Sequence, residues 1–204
     1  LQAEELGIKN AGGLYMLVAQ AKRSAELFTG SSIDDAEIPR IRALMNSRMQ
    51  NIVLIGMPGS GKSTAAARLG AALGREAADS DEYIAAVTGE TPAQIIEGRG
   101  EAEFRRCETA ALAELGKRSG LVIATGGGCV TREENYPLLH QNSVIFWLER
   151  DVDKLPTDGR PLSRAGELRA MYEARSAAYA RFADHVIDNN GDMDDTVRQI
   201  LALL

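Results

Sequence analysis

The stretch NIVLIGMPGSGKS at residues 51–63 decides the fold of this chain. Residues 51–55 are a short run typical of a buried β-strand, and residues 56–63 match the pattern G-x-x-x-x-G-K-[ST] directly before a helical segment. In that pattern, glycines let backbone N–H groups turn inward around phosphate oxygens, and the N-terminus of the following helix adds free donors. Lys62 would then reach the β- and γ-phosphates of a nucleotide, and the Ser63 hydroxyl would bind Mg²⁺. A glycine-rich turn with a chance lysine is the alternative, which the agreement of spacing, residue types and flanks disfavours.

Short apolar runs alternate with helical stretches from this loop to the C-terminus. Strands are predicted at residues 51–55, 121–124, 143–148 and 185–187, and helices at residues 62–73, 91–117, 167–182 and 194–203. This alternation is typical of an α/β protein, with a parallel sheet covered by helices on both faces.

The chain has 204 residues, which fits one α/β domain with a short additional segment. Its 23 Lys and Arg against 29 Asp and Glu give a formal net charge of −6, which argues against a nucleic-acid binder with a broad basic face. The sequence contains neither the roughly 20-residue apolar run of a membrane span nor a secretion signal. Two cysteines and two histidines form no metal-ligand pattern. We therefore expect a cytoplasmic protein with reduced thiols and without nucleic-acid or membrane partners.

A second candidate element is Asp79-Ser80-Asp81, placed at the expected end of a short strand. Two carboxylates at i and i+2 of an extended strand end point the same way. One could hold the water shell of a metal ion while the other holds a substrate hydroxyl. The pattern equally fits a helix N-cap, with Ser80 or Asp81 capping a helix that begins near Glu82.

Three consecutive glycines, Gly126, Gly127 and Gly128, follow the predicted strand at residues 121–124. Glycines weaken local structure, so we expect a ligand to approach the backbone closely there, with a plain tight loop as the alternative. Arg160 in a polar loop, and Arg175 with Tyr179 on the following helix, suit an anionic substrate, because a guanidinium pairs with carboxylate or phosphate through two hydrogen bonds. Taken singly, an arginine is more often a solvated surface residue.

In this order the elements resemble the shikimate kinase family. The family pattern is a phosphate loop, D-x-D, GE-x-x-FR-x-x-E, a TGGG loop, a lid with R-P-L, and a helix with R-x-x-x-Y. The matching residues, between positions 50 and 204, are Gly59–Thr64, Asp79, Asp81, Gly100, Glu101, Phe104, Arg105, Glu108, Thr125–Gly128, Arg160–Leu162, Arg175 and Tyr179. The resemblance implies a P-loop fold of the nucleoside-monophosphate-kinase type with a five-stranded parallel sheet. It also implies transfer of the ATP γ-phosphoryl group to the 3-hydroxyl of shikimate.

The same resemblance implies a role for each matching residue. The candidate ATP contacts are Gly59, Ser60, Gly61, Lys62, Ser63, Thr64 and Arg160. Asp81 would bind the reacting hydroxyl and accept or orient its proton, and Arg105 and Arg175 would grip the shikimate carboxylate. The backbone of Gly127 and Gly128 would contact substrate hydroxyls. Asp79 would hold Mg²⁺ through water beside Ser63, and Arg160 would swing with the lid onto the phosphates. Asp81, Lys62 and Arg160 are thus the candidate catalytic residues.

Residues 1–48 differ from the rest of the chain, since their six basic and six acidic residues balance. Helical spacing predicts a helix from Leu14 to Phe28 ended by Gly30, and a second from Ile41 to Met49. Residues 10–30, beginning NAGGLYMLVAQA, resemble the C-terminal end of shikimate dehydrogenase. We therefore predict a dehydrogenase remnant at residues 1–30, a linker at 31–48 and a kinase domain at 49–204, as the kinase end of a bifunctional polypeptide.

Two other functions stay open at this point. A kinase for another small hydroxy acid, such as gluconate, would use Arg105 and Arg175 in the same way. A kinase-like module that senses a ligand without turnover would share the fold. Such modules commonly lose a catalytic residue, whereas Lys62, Asp81 and Arg160 are all present here.

Overall fold

The structure is a computed structural model that describes residues 6–8, 13–156 and 165–204. The chain divides into two compact units, one ending at Met49 and the other spanning Gln50–Leu204. None of the helices in the described ranges is long and apolar enough to cross a membrane.

The second unit alternates strands and helices along its length. Its strands are β1 (Asn51–Ile55), β2 (Ala77–Asp79), β3 (Val122–Ala124), β4 (Ser143–Glu149) and β5 (His185–Asp188). The helices of the chain are α1 (Leu14–Thr29), α2 (Glu37–Met49), α3 (Lys62–Leu73), α4 (Ser80–Thr88), α5 (Pro92–Arg99), α6 (Glu101–Lys117), α7 (Asn135–His140), α8 (Ala165–Phe182) and α9 (Met193–Leu201). Short 3₁₀ turns occupy Cys129–Thr131 and Val152–Lys154.

The strands form one five-stranded sheet in the order β2-β3-β1-β4-β5, and every neighbouring pair is parallel. Strand β1 lies in the centre, where Val53 pairs with Ile123 on one side and Ile145 on the other. Because parallel strands need crossover connections, the helices between them cover the sheet. The predicted five-stranded parallel sheet is confirmed.

The side chains of β1 divide the core into two layers. Ile52 and Leu54 pack with residues of α3 and α9, whereas Val53 and Ile55 pack with residues of α6, α7 and α8. Successive side chains of a strand point to opposite faces, so this division places helices on both sides of the sheet. The predicted coverage of both faces is therefore also confirmed.

Several element boundaries match the prediction closely. Strand β1 and helix α3 have the predicted limits. The predicted helix at residues 91–117 is two helices, because Gly100 between them adopts φ +86°. Helix α7 was not predicted, since its six residues are too few to show a helical period.

The first unit is a pair of helices joined by a short polar segment. Helix α1 ends where Gly30 adopts φ +68° and donates its N–H to the Glu26 carbonyl, as predicted. Helix α2 begins at Glu37, four residues before the predicted start, and accommodates Pro39 in its first turn, where backbone N–H groups lack helical partners. Val18 and Ile38 are the buried residues of the pair. Helix α2 thus occupies most of the segment predicted as a linker.

Candidate active site

A cleft of about 490 Å³ opens at the carboxyl ends of β1, β2 and β3. Its lining brings together residues from five of the predicted motifs. They are Gly59, Gly61, Lys62, Ser63, Thr64, Asp79, Asp81, Arg105, Glu108, Gly126–Gly128 and Arg175. Binding sites of parallel α/β sheets are typically at this edge.

The phosphate loop connects β1 to α3. Gly59 and Gly61 adopt φ +80° and +88°, a conformation that side chains with a Cβ rarely take. The Lys62 ammonium is buried and donates to the carbonyls of Gly56 and Met57, each at 2.9 Å. The lysine therefore lies folded over the loop, where phosphate oxygens would compete with those two carbonyls.

Ser60 is placed differently from its neighbours in the loop. It is fully buried, and within the described ranges its hydroxyl has no hydrogen-bond partner. Its carbonyl accepts a hydrogen bond from Asn189 Nδ2 at 2.5 Å, and Thr196 Oγ1 donates to Asn189 Oδ1 at 2.7 Å. A residue in the turn between β5 and α9 thus anchors the phosphate loop. Asn189 and Ser60 are 129 positions apart in the chain, and no sequence pattern indicated their contact.

Asp79 and Asp81 both line the cleft, but not as two residues of one extended strand end. Helix α4 begins at Ser80, so Asp79 caps it by accepting the Asp81 N–H at 2.9 Å, and Asp81 lies in its first turn. The expected placement of both carboxylates on one extended strand end was therefore wrong, although both line the cleft. A helix N-cap is present, but the predicted caps, Ser80 or Asp81, and the predicted start near Glu82 were wrong, because the helix begins at Ser80 and Asp79 caps it.

The Ser63 hydroxyl and the Asp79 carboxylate are candidates for holding Mg²⁺. Ser63 Oγ donates to Asp79 Oδ2 at 2.6 Å, which brings two hard oxygen ligands together. Within the described ranges, no three His, Cys, Asp or Glu side chains are grouped to hold a metal ion. Mg²⁺ commonly keeps several waters and uses one or two carboxylates, so the pair fits this ion.

Asp81 and Glu108 form an acidic pair at the floor of the cleft. Burial, with the negative charges of Asp79 and Glu108, raises the pKa of Asp81 to about 6. Burial also raises the pKa of Glu108, against the effect of Arg105. A Cβ at Gly126 would lie 2.6 Å from Glu108 Oε1 and 3.1 Å from Asp81 Oδ1. A side chain at this position would therefore have to displace the Glu108 carboxylate.

Two guanidinium groups reach the cleft from separate helices. Arg105 on α6 donates to Glu108 Oε2 at 2.8 Å and to Glu101 Oε1 at 3.0 Å. Arg175 on α8 donates to the Gly127 carbonyl at 3.1 Å. The sequence motifs predicted both arginines, and the structure brings them to one cleft, where they favour an anionic ligand.

The glycine loop after β3 is packed too closely to carry side chains. A Cβ at Gly127 would lie 2.6 Å from Pro58 Cδ in the phosphate loop, and one at Gly128 would overlap the Arg105 guanidinium. Protein groups thus approach this backbone closely, and the expected approach of a ligand stays a prediction. Arg160, the remaining predicted residue, lies outside the described residues.

The role of Glu108 as a buried partner was not predicted, although its motif was noted. The spacing of Arg105 and Glu108 at i and i+3 of a helix is the signal that could have shown it. That the glutamate is the buried member of the pair follows from the packing of α6 against the sheet, which spacing does not reveal.

The sheet order, the phosphate loop and the cleft beside it define an α/β protein of the phosphate-loop nucleotide-binding class. A sequence profile of the shikimate kinase family matches residues 58–204. The chain belongs to the shikimate kinase family.

Named relatives agree with that assignment. The shikimate kinase of Pelotomaculum thermopropionicum is 37% identical over 166 residues, which cover 76% of this chain and 96% of the relative. That of Acinetobacter baumannii is 37% identical, with 76% and 92% covered. A solved Acinetobacter baumannii shikimate kinase in complex with shikimate superposes with a TM-score of 0.73 at 34% identity, covering 79% of this chain and 96% of that one. For the Aquifex aeolicus enzyme the TM-score is 0.67 at 29% identity, with 74% and 94% covered.

Proposed function

We propose that this chain transfers the γ-phosphoryl group of ATP to the 3-hydroxyl of shikimate, giving shikimate 3-phosphate and ADP in the cytoplasmic pathway to aromatic amino acids. One observation carries the proposal: Asp81, Arg105 and Arg175 line the same cleft as the phosphate loop. Membership of the shikimate kinase family supports it, and a solved relative was obtained in complex with shikimate.

The donor nucleotide is bound by the phosphate loop. Backbone N–H groups of Gly59–Thr64, at the N-terminus of α3, surround the phosphates. Lys62 exchanges the carbonyls of Gly56 and Met57 for phosphate oxygens. Ser63, and Asp79 through water, would hold Mg²⁺, which when bound would neutralise negative charge on the β- and γ-phosphates. Arg160, in the motif matching the family's lid, adds a further positive charge to the transferring group.

The acceptor is held by charge and activated by a carboxylate. Arg105 and Arg175 pair with the shikimate carboxylate, and the backbone at Gly127 and Gly128 contacts its hydroxyls. Asp81 accepts the proton of the reacting hydroxyl. With its pKa raised to about 6, this carboxylate is ionised at neutral pH yet more basic than an ordinary aspartate.

A coupled ADP-release assay with ATP and Mg²⁺ tests this function, with shikimate, gluconate and no acceptor in parallel. We expect release that depends on shikimate, and its loss in the Lys62→Ala variant. Release with gluconate alone would replace the proposal with a sugar-acid kinase. Nucleotide binding without release for either acid would favour a sensing module.

The N-terminal unit carries a separate proposal: residues up to Gly30 end a shikimate dehydrogenase domain, and residues 31–48 link it to the kinase. The resemblance of residues 10–30 supports this, as do large apolar side chains left in solvent, since Leu27 is 70% and Phe28 91% exposed. Shikimate-dependent reduction of a nicotinamide nucleotide by the product of the complete gene tests it. The 204-residue chain serves as the inactive control.

A further inference from the structure

Arg175 and Tyr179 stand one turn apart on α8 and donate to the same acceptor. Arg175 Nη1 lies 3.1 Å, and Tyr179 Oη 2.5 Å, from the carbonyl oxygen of Gly127. The sequence singles out the two residues together, yet the proposed reaction uses only Arg175. Tyr179 is thus left without a part in it.

Tyr179 is held firmly in place. Its side chain is fully buried, and its ring stacks on Trp147 with 5.6 Å between ring centroids and 23° between planes. Its hydroxyl also lies 3.9 Å from Met57 Sδ in the phosphate loop. Burial raises the pKa of the phenol, so the hydroxyl keeps its proton and stays a donor. The tyrosine is therefore a rigid support rather than an adaptable contact.

The carbonyl of Gly127 is distinguished from those of its neighbours. The carbonyl of Gly126 accepts from the Cys129 N–H, and that of Gly128 accepts from the Thr131 N–H and hydroxyl, all within the loop. The Gly127 carbonyl accepts instead from α8. In a trans peptide the C=O and the following N–H point in opposite directions, so this anchor turns the Gly128 N–H away from α8.

We propose that Tyr179 is a positioning residue for acid-substrate binding, which keeps the Gly127 carbonyl paired and so frees Arg175 for the substrate carboxylate. The inference rests on the proposed function. When Arg175 turns from Gly127 to the carboxylate, Tyr179 keeps the carbonyl paired. Without the hydroxyl, the same motion leaves the half-buried Gly127 carbonyl without either of the two donors from α8, which opposes binding.

The test compares Tyr179→Phe with wild type and with Tyr172→Phe. The control removes a hydroxyl from the same helix, where Tyr172 Oη donates to Glu149 Oε1 at 3.0 Å. Trp147, the single tryptophan, stacks on Tyr179, so its fluorescence reports shikimate titration without nucleotide. In Tyr179→Phe we expect the Kd for shikimate to rise about tenfold and the KM for ATP to stay within about twofold, because one unpaired carbonyl opposes only the acid substrate. Tyr172→Phe should leave both unchanged.

A second variant pair separates positioning from packing. If Tyr179 acts through Arg175, adding Tyr179→Phe to Arg175→Gln should change the Kd by less than about twofold, because the two effects share one acceptor. With an active wild type, three outcomes would each overturn the proposal. They are a fully additive loss of shikimate affinity in the double variant, a rise in the KM for ATP in Tyr179→Phe equal to the rise in the Kd for shikimate, and an unchanged Kd for shikimate in Tyr179→Phe. A wild type with no shikimate-dependent ADP release would refute the proposed function, and this role with it.

Discussion

Replacing Arg105 with methionine tests the electrostatics of the cleft most directly. The variant keeps the length of the side chain and removes its charge. Arg105 pairs with Glu101, whose side chain is 66% exposed, and with Glu108, whose side chain is fully buried. The exposed pair contributes at most about 1 kcal/mol. Breaking a buried pair by removing one partner costs about 3–5 kcal/mol, because the other charge is left uncompensated.

The expected loss of unfolding free energy lies at the lower end, about 3 kcal/mol at pH 8, because Glu108 borders a cleft that admits water. The loss depends on pH in a defined direction. Burial raises the pKa of Glu108 above 4.5, and removing Arg105 removes the largest opposing effect. A carboxyl group whose pKa is higher in the folded than in the unfolded state does not lower the free energy of unfolding at a pH below both values. It lowers that free energy progressively as the pH rises from the unfolded-state pKa towards the folded-state pKa. The deficit should therefore be small near pH 5 and larger at pH 8.

Urea denaturation of wild type, Arg105→Met and Arg105→Met/Glu108→Gln at pH 5 and pH 8 measures this. The double variant should recover most of the loss at pH 8, because a neutral amide replaces the buried charge. A deficit that is equal at both pH values, or one no larger than about 1 kcal/mol at pH 8, would refute the assignment of Glu108 as a buried charge held by Arg105.

Three further predictions follow from the same cleft. Asp81→Asn should lower kcat by about 10²–10⁴-fold with the KM for ATP nearly unchanged, because an amide cannot accept the hydroxyl proton; kcat near wild type would remove Asp81 from that role. In the wild type, kcat/KM for shikimate should fall as pH drops through about 6, as Asp81 becomes protonated, and a pH–rate profile flat from pH 5 to 8 would contradict this. Asn189→Asp replaces the donor to the Ser60 carbonyl with an acceptor. The KM for ATP should then rise about tenfold, and urea unfolding should show a loss of about 1–3 kcal/mol in the free energy of unfolding. ATP kinetics identical to wild type would show that the Asn189–Ser60 hydrogen bond does not shape the phosphate loop.

Local patterns in the sequence were sufficient to predict the α/β class and the position of the phosphate loop. The apolar run at residues 51–55, the glycines and lysine after it, and the alternation of strands and helices predict a phosphate loop at the edge of a parallel sheet. They suffice because strand burial, loop conformation and helix starts each depend on a few neighbouring residues. The anion-binding roles of Arg105 and Arg175, in contrast, were implied by the resemblance to the shikimate kinase family.

Tertiary structure decided how those residues act on one another. Glu108 is a buried charge because α6 packs on the sheet. Asn189 donates a hydrogen bond to the Ser60 carbonyl, and Tyr179 on α8 donates one to the Gly127 carbonyl. Asp79 rather than Asp81 became the cap because α4 starts one residue after β2. The contacts of Asn189 with Ser60 and of Tyr179 with Gly127 join residues far apart in the chain, and their energies come from burial and from distances of a few ångströms, which periodicity and spacing do not encode.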